Sequence, residues 1–357
     1  MINDFIEYWA AARLFLSGAD PYSATELLKT QKAIGWPSSE PLMMWNPPWT
    51  LSFIFPLGWV DYESAQFVWL FMHVLIIFVG ARILWQIYEG DVQKYFYGWL
   101  SVLTFAPVYF ALLLGQIGPL ILLGLIAFLF CAQKEAWLSA GVSLSLASIK
   151  PHLLYLLWIA IVFWLFHKRH WRVAIGSLLA GASIAMFPLL WNPMIYFQYA
   201  ESLRGGDTVR PLNWATPALG TALGVFLQNP DSWIRWLPSV GGVLWLIWYW
   251  VRRSGDWNWI TETPLIVLVS LVTANFVWTF DFVILLPAVI QCATWIANDR
   301  ITSQRKLVIG IYLLLGTVLV AGKTVVRNDF WYFWLPPTFL LFYVWVRTRA
   351  CARTIRR

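Results

Sequence analysis

Long apolar runs alternate with short polar stretches along the chain, and their spacing sets the map of elements. Runs at about 63–88, 97–115, 117–133, 151–167, 171–191, 236–252, 264–280, 282–298, 307–325 and 331–346 sit near the roughly 17–25 residues a helix needs to cross hydrocarbon. Lipid offers the backbone no hydrogen-bond partner, so a spanning segment must be a helix or part of a closed barrel. Barrel strands read as short alternating segments, and these runs are continuous. The pattern predicts an all-α, polytopic transmembrane helix bundle with about 11–12 membrane segments.

Three stretches depart from that rhythm. Residues 1–40 are the longest polar stretch and predict a short amphipathic helix ending at Gly18, a turn at Asp20-Pro21-Tyr22, a second short helix and a loop around Pro37. Residues 44–60 are apolar but broken by Pro47, Pro48 and Pro56, which predicts a short span or a re-entrant piece. Segment 137–149 runs into Lys150-Pro151; proline disfavours helix at the residue before it, so a kink or tight turn is expected there. Segment 214–228 is weakly hydrophobic and reads as partly embedded. Neither a repeat nor a soluble domain is visible, so residues 1–347 read as one membrane domain, with 1–61 as a long first loop plus the broken segment, 62–347 as the bundle, and 348–357 as a basic tail.

Composition agrees with the pattern: 60% of the 357 residues are hydrophobic, 12% are charged, and the mean hydropathy is +0.64. Soluble domains carry about 25% charged residues. The net charge of +7 does not imply a nucleic-acid partner, because the basic residues gather in short loops and the tail. The clusters are His167-Lys168-Arg169-His170-Trp171-Arg172, Arg252-Arg253, Arg300 with Arg305-Lys306, and Arg347 to Arg357. One alternating assignment puts all four clusters on a single side, where sixteen of the 25 Lys and Arg then fall, and excess positive charge marks the cytoplasmic side. Residues 1–61, Gln116, Lys150, 192–235, 279–281 and 326–330 then face out. Cys131, Cys292 and Cys351 show no pairing or metal spacing, and the four histidines form no metal motif.

Rare polar residues collect at that outer level. Asp4 and Glu7 lie one turn apart, Gln116 opens a span, Lys150 ends a hydrophobic hairpin, Asp281 sits between apolar stretches, and Lys323 and Arg327 mark a span end. Ionisable groups at membrane depth are costly and tend to be paired or functional. Singly, each also reads as a snorkelling or helix-terminal charge.

The stretches DFIEYWAAARLFLSGADPYS, WNPPWTLSFIFPLGWV, LLLGQIGPLILLGLIAF, SAGVSLSLASIKPHLLYLL and NFVWTFDFVILLPA resemble, in order, motifs of glycosyltransferase family 87, polyprenol-phosphate-dependent enzymes of the GT-C class. The resemblance implies a GT-C-like fold and transfer of a hexose, usually mannose, from a polyprenyl-phosphate carrier to a hydroxyl acceptor on the outer face of the plasma membrane, with inversion. It implies partners too: a polyprenyl-phosphate-sugar donor, a lipid-linked or glycan acceptor and the surrounding membrane lipids. Asp4 takes the position of the family's first-loop acid and is assigned as general base, with Glu7 the second choice and Tyr8 the tyrosine of the same motif. The alternative for Asp4 is a cap on the helix over 5–17.

Lys150 is assigned to the donor phosphate, followed by Arg327, Arg204, Arg210 and Lys323; Arg204 and Arg210 also read as solvated loop charges. Gln116 and Asp281 are set to orient the sugar or to fix neighbouring basic residues. His152 is placed with the phosphate, against the plainer reading of a structural histidine. No cofactor is implied; some GT-C enzymes use a divalent ion near acidic motifs, but the carboxylates here are isolated in sequence. Relatives carry a transmembrane helix before the acidic motif, so a first helix is expected upstream of Met1 or is lacking. The competing function is a transporter or flippase of a polyprenyl-linked sugar; a non-catalytic scaffold would leave the first-loop motif unexplained.

Overall fold

The computed structural model describes residues 3–204, 214–229 and 233–354. They form seventeen α-helices joined by short 3-10 turns, with no strand among the described residues. The first two, α1 (Phe5–Leu16) and α2 (Ala24–Lys32), precede the broken segment expected around the prolines. That segment is a 3-10 turn over Pro48–Thr50, a single turn α3 (Leu51–Ile54), and a second 3-10 turn over Phe55–Trp59. At about 1.5 Å per residue it is too short to cross a bilayer. It lies against α1 instead, where Gly58 lets the two backbones touch: a Cβ there would stand 2.7 Å from the Ala12 carbonyl.

The bundle follows with α4 (Tyr62–Ile87), α5 (Phe96–Leu103), α6 (Ala106–Leu114), α7 (Gly118–Gln133), α8 (Trp137–Ala147), α9 (Tyr155–Lys168) and α10 (Trp171–Trp191). After α11 (Ile195–Arg204) and α12 (Leu219–Phe226) come α13 (Leu237–Arg253), α14 (Trp259–Thr273), α15 (Leu286–Ala297), α16 (Arg305–Val325) and α17 (Leu335–Thr354). Asp61 caps α4 by accepting the Ser64 N–H at 2.9 Å. Among the described residues, five stretches are long and apolar enough to cross a membrane: Tyr62–Ile87, Pro151–Lys168, Trp171–Trp191, Thr279–Ala297 and Arg305–Val325. A sixth span results if α5 and α6, bent by 61° at their junction, count as one; Pro107 in the first turn of α6 accounts for the break.

The remaining apolar runs also form helices, but shorter ones: α7, α8 and α14 have 16, 11 and 15 residues. They still run between the two ends of the bundle. One end is tied by Trp69 to the Gly115 carbonyl and by Lys150 to Asp281. The opposite end is tied by Lys94 to the Ala297 carbonyl, by Asn298 to the Glu89 carbonyl and by Arg347 to Glu262. Lys168, Arg300 and Arg347 line a cavity at that second end.

Burial grades the bundle from centre to edge. The stretch Thr279–Ala297 runs through the middle with 89% of its apolar window buried, whereas α16 has 11% and faces outward. Without water to drive helices together, close approach depends on small residues. Gly124 seats α7 against the Ala147 backbone of α8. Gly141 of α8 meets the Val173 carbonyl of α10, and Gly176 of α10 meets the Leu138 carbonyl of α8.

These contacts set a prediction. Gly141→Leu forces α8 away from a backbone carbonyl and is expected to cost about 1–3 kcal/mol, seen as a lower melting temperature in detergent. Gly181→Leu, on the neighbouring α10 but facing open space, should melt with the wild type; equal melting of both variants would contradict the packing.

Candidate active site

Helix α8 stops early. With 11 residues it rises about 16 Å, against about 31 Å for the 21 residues of α10 beside it. The chain then leaves helical geometry at Lys150 (φ −127°, ψ 76°) and restarts as a 3-10 turn at Pro151, the break expected from that dipeptide. A cavity of about 770 Å3 opens beside this break. Asp4, Glu7, Tyr8, Gln116, Lys150 and His152 line it, with Trp45, Trp214 and Trp278 among its aromatic walls.

The acidic side comes from α1. That helix, expected to be amphipathic, is buried nearly all round, with Phe5, Ile6, Tyr8, Trp9 and Ala10–Ala12 all inside. Asp4 does not cap it: the residue is itself helical (φ −61°, ψ −15°) and makes no capping bond. Asn3 takes that part, accepting the Phe5 N–H at 3.2 Å while donating to the Leu113 carbonyl at 2.9 Å. The Asp4 carboxylate is thereby released to Gln116, whose Nε2 donates to Oδ2 at 2.9 Å. Tyr8 completes the line, its hydroxyl donating to Gln116 Oε1 at 3.1 Å.

Gln116 reaches this position because Gly115 ends α6 in the left-handed region (φ 67°), where a side chain would be strained. A Cβ at Gly115 would also lie 2.7 Å from the Phe5 Cβ. The Gly-Gln pair therefore has a backbone reason at one residue and a polar contact at the next.

Both carboxyls sit above their ordinary pKa. Burial raises Asp4, opposed by the Gln116 hydrogen bond and the Lys150 charge. Glu7 is pushed up to about 8, first by burial and then by the neighbouring Asp4 charge. At neutral pH Glu7 is mostly protonated, so the two neighbouring carboxyls are not both charged.

Lys150 faces them from the other wall. Its Nζ donates to Asp281 Oδ1 at 2.8 Å and lies 5.1 Å from the centre of the Phe280 ring. Asp281, 1% exposed, uses its other oxygen to accept the Trp278 N–H at 2.9 Å. It holds Lys150 in place from behind and is not itself on the cavity wall. A lysine ammonium carries three donors, so the pair leaves Lys150 capacity to bind an anion.

Aromatic residues close the remaining sides. Trp214 packs at a tilt against Phe276 and Trp278, with ring centres 5.9 and 5.8 Å away. Tyr22 and Tyr199 donate to the Asn46 and Trp45 carbonyls, at 3.0 and 3.3 Å, and so pin the proline-rich wall. Tyr22 belongs to the Asp-Pro-Tyr turn, where Asp20 accepts its N–H at 2.8 Å. His152 stands edge-on to Phe276 on the same wall.

Not every expected residue converges. Lys323 pairs with Asp329, and Arg327 is exposed; neither lines the cavity. Arg204 ends α11, five residues past the wall residue Tyr199, and Arg210 lies outside the described residues. Lys150 is thus the cation on the wall among the described residues. Sequence reasoning missed Asn46, Tyr199, Asn328 and the tryptophan walls, since Trp is abundant throughout the chain. A second cavity, of about 690 Å3, opens at the opposite end. Its wall acids, Glu89 and Glu135, are exposed, so it has no counterpart to the Asp4–Glu7 pair.

The model of glycosyltransferase family 87 matches residues 45–273. That is more than half of the chain, and the chain belongs to this family: it is a membrane glycosyltransferase. No curated protein and no solved structure matches it. The matched stretch holds Trp45, Gln116, Lys150 and His152, whereas Asp4, Glu7 and Asp281 stand on either side of it.

The Lys150–Asp281 contact yields a stability test. Asp281→Ala leaves a lysine without its partner at 13% side-chain exposure and is expected to cost about 3–5 kcal/mol, read as a fall in thermal stability of the purified protein. Pairing Asp281→Asn with Lys150→Met should recover part of that loss. A neutral effect of Asp281→Ala would contradict the pairing.

Proposed function

We propose that this protein moves a hexose, with mannose the leading choice, from a polyprenyl-phosphate carrier to a hydroxyl of a lipid-linked or glycan acceptor. The reaction takes place on the outer face of the plasma membrane. The observation that carries this reading is the meeting, in one cavity, of a carboxyl pair from α1 with Lys150. A glycosyl transfer with inversion needs a base for the acceptor hydroxyl and a cation for the departing phosphate, and the cavity presents both.

In the proposed step Asp4 accepts the acceptor's hydroxyl proton as that oxygen bonds to the anomeric carbon. The bond from the anomeric carbon to the phosphate oxygen breaks on the opposite face of the sugar, and its electron pair leaves with the polyprenyl phosphate. Lys150, held by Asp281, receives that phosphate; His152, beside it on the wall, is the neighbouring ligand. Gln116 keeps Asp4 aimed into the cavity through the bond at 2.9 Å. Arg204, Arg210 and Arg327 remain proposed as further cations for the lipid head, away from the wall. The aromatic side, Trp45, Trp214 and Trp278, offers flat apolar faces to a sugar ring.

The outer-face assignment rests on the distribution of Lys and Arg and on the position of the cavity at the less basic end. A transporter of the same lipid would need its polar groups near the midplane, whereas these gather beside one end of the bundle.

Asp4→Asn is expected to lower kcat by about 10^2–10^4-fold in a transfer assay with polyprenyl-phosphate mannose, with little change in melting. Wild-type turnover by that variant would remove Asp4 as the base. The pH profile gives a second check. Asp4 must be ionised to act, so activity rises with pH on the acid side. Ionisation of Glu7 near pH 8 adds a second negative charge where a phosphate must bind, so kcat/KM should fall above that pH. Glu7→Gln should abolish the fall, and an unchanged alkaline limb would contradict it. Sidedness is checked by a cysteine placed at Leu28: an impermeant reagent should label it from outside intact cells, and protection there would overturn the orientation.

A further inference from the structure

The stretch Thr279–Ala297 begins inside the protein, where the first backbone N–H groups of a helix have no helical partner. Two carboxylates meet them. Asp281 Oδ2 accepts the Trp278 N–H at 2.9 Å, and Asp329 Oδ2 accepts the Thr279 N–H at 3.2 Å and the Thr279 hydroxyl at 2.8 Å. Each carboxylate keeps its other oxygen for a lysine: Asp281 Oδ1 for Lys150 and Asp329 Oδ1 for Lys323. The two ion pairs are therefore joined through three consecutive positions, Trp278, Thr279 and the residue that follows, before Asp281 itself.

Only one of these pairs reaches the cavity. Lys150 lies on its wall and Lys323 does not. Lys323 is held between Asp329 and the ring of Tyr332, whose centre is 4.5 Å from Nζ. Asp329 follows Asn328, which does line the cavity, and Asn328 fixes the local turn by accepting the Phe330 N–H at 3.0 Å. The 328–329 corner thus touches the site with one residue and grips the 278–281 turn with the next.

We propose that Asp329 is a positioning residue: by clamping Thr279 it fixes the turn that carries Asp281, and so sets where Lys150 presents its ammonium to the phosphate of the donor. Lys323 serves as the counter-ion of Asp329 among apolar helices. The inference rests on the proposed role of Lys150 as phosphate ligand. It assigns a function to a carboxylate that never touches substrate, and it converts Lys323 from a candidate ligand into part of the support.

A double-mutant cycle on phosphate-lipid affinity tests this in the full-length protein in detergent or nanodiscs, with a polyprenyl monophosphate as probe. Lys150→Gln retains an amide to donate to Asp281 but loses the charge, and should weaken binding about tenfold. Asp329→Asn should weaken binding about 3- to 10-fold when Lys150 is present and less than about 2-fold in the Lys150→Gln background. A role in overall stability alone would weaken binding by the same factor in both backgrounds, and that outcome overturns the inference. Thr279→Val removes one bond and leaves the Lys323–Asp329 pair intact; it should follow the same pattern and decides the matter where Asp329→Asn does not fold. If Lys150→Gln binds the probe as the wild type does, the assignment of Lys150 falls and the inference with it. If Lys150→Gln weakens binding while Thr279→Val and Asp329→Asn do not, only the inference fails.

Discussion

The ion pair between Lys150 and Asp281 ties together two of the places where this bundle departs from continuous helix. In lipid or in a packed helix bundle, every break in a helix exposes backbone groups that need partners from within the protein. The break at Lys150-Pro151 ends α8 short of its neighbour α10 and makes room for a cavity. The break before Thr279 starts the most buried stretch of the bundle. Asp281 bridges them, taking a backbone N–H from its own turn and the ammonium of Lys150 from the other. A buried pair of this kind gains little over apolar packing but is costly to disrupt. That balance suits a device which holds a charge at a defined place.

Around that pair the site is assembled from distant parts of the chain. Its acids come from the first turns of α1, its amide from the turn after α6, its lysine from the end of α8, and its aromatic walls from residues 45, 214 and 276–280. Most of these are held by their backbone rather than by the cavity: Gly115 by its left-handed conformation, the Trp45–Asn46 wall by Tyr22 and Tyr199. The family match covers the middle of the chain, yet the carboxylates that complete the cavity lie outside it. Chemistry proposed for the site therefore depends on parts that only the folded chain brings to the matched core.

Much of this was legible in the residue pattern. Continuous apolar runs marked the helices, because lipid excludes other solutions, and the break at Lys150-Pro151 followed from proline sterics alone. The level shared by Asp4, Gln116, Lys150 and Asp281 came from counting charge on alternate loops. What the pattern did not show is pairing. Nothing local distinguishes Asp281, which supports a lysine, from Asp4, which opens onto the cavity; their partners are 131 and 112 residues away. Helix α1 looked amphipathic because its few polar residues are spaced by a turn, but the 48–59 segment and α4 cover its remaining faces. Lys323 drew notice as a charge at a span end, while Asp329, which explains it, sat in an ordinary polar turn.

The central claim is that the donor lipid is held in the cavity beside Lys150, at the end of the bundle that carries the two α1 carboxyls. A polyprenyl-phosphate analogue with a photoreactive group next to its phosphate measures this directly, once crosslinked peptides are identified by mass spectrometry. The account predicts attachment within residues 42–47, 149–152, 214–215 or 276–280, which form the cavity wall. Attachment at the opposite end, around Trp257–Thr261 or Arg347, would contradict it.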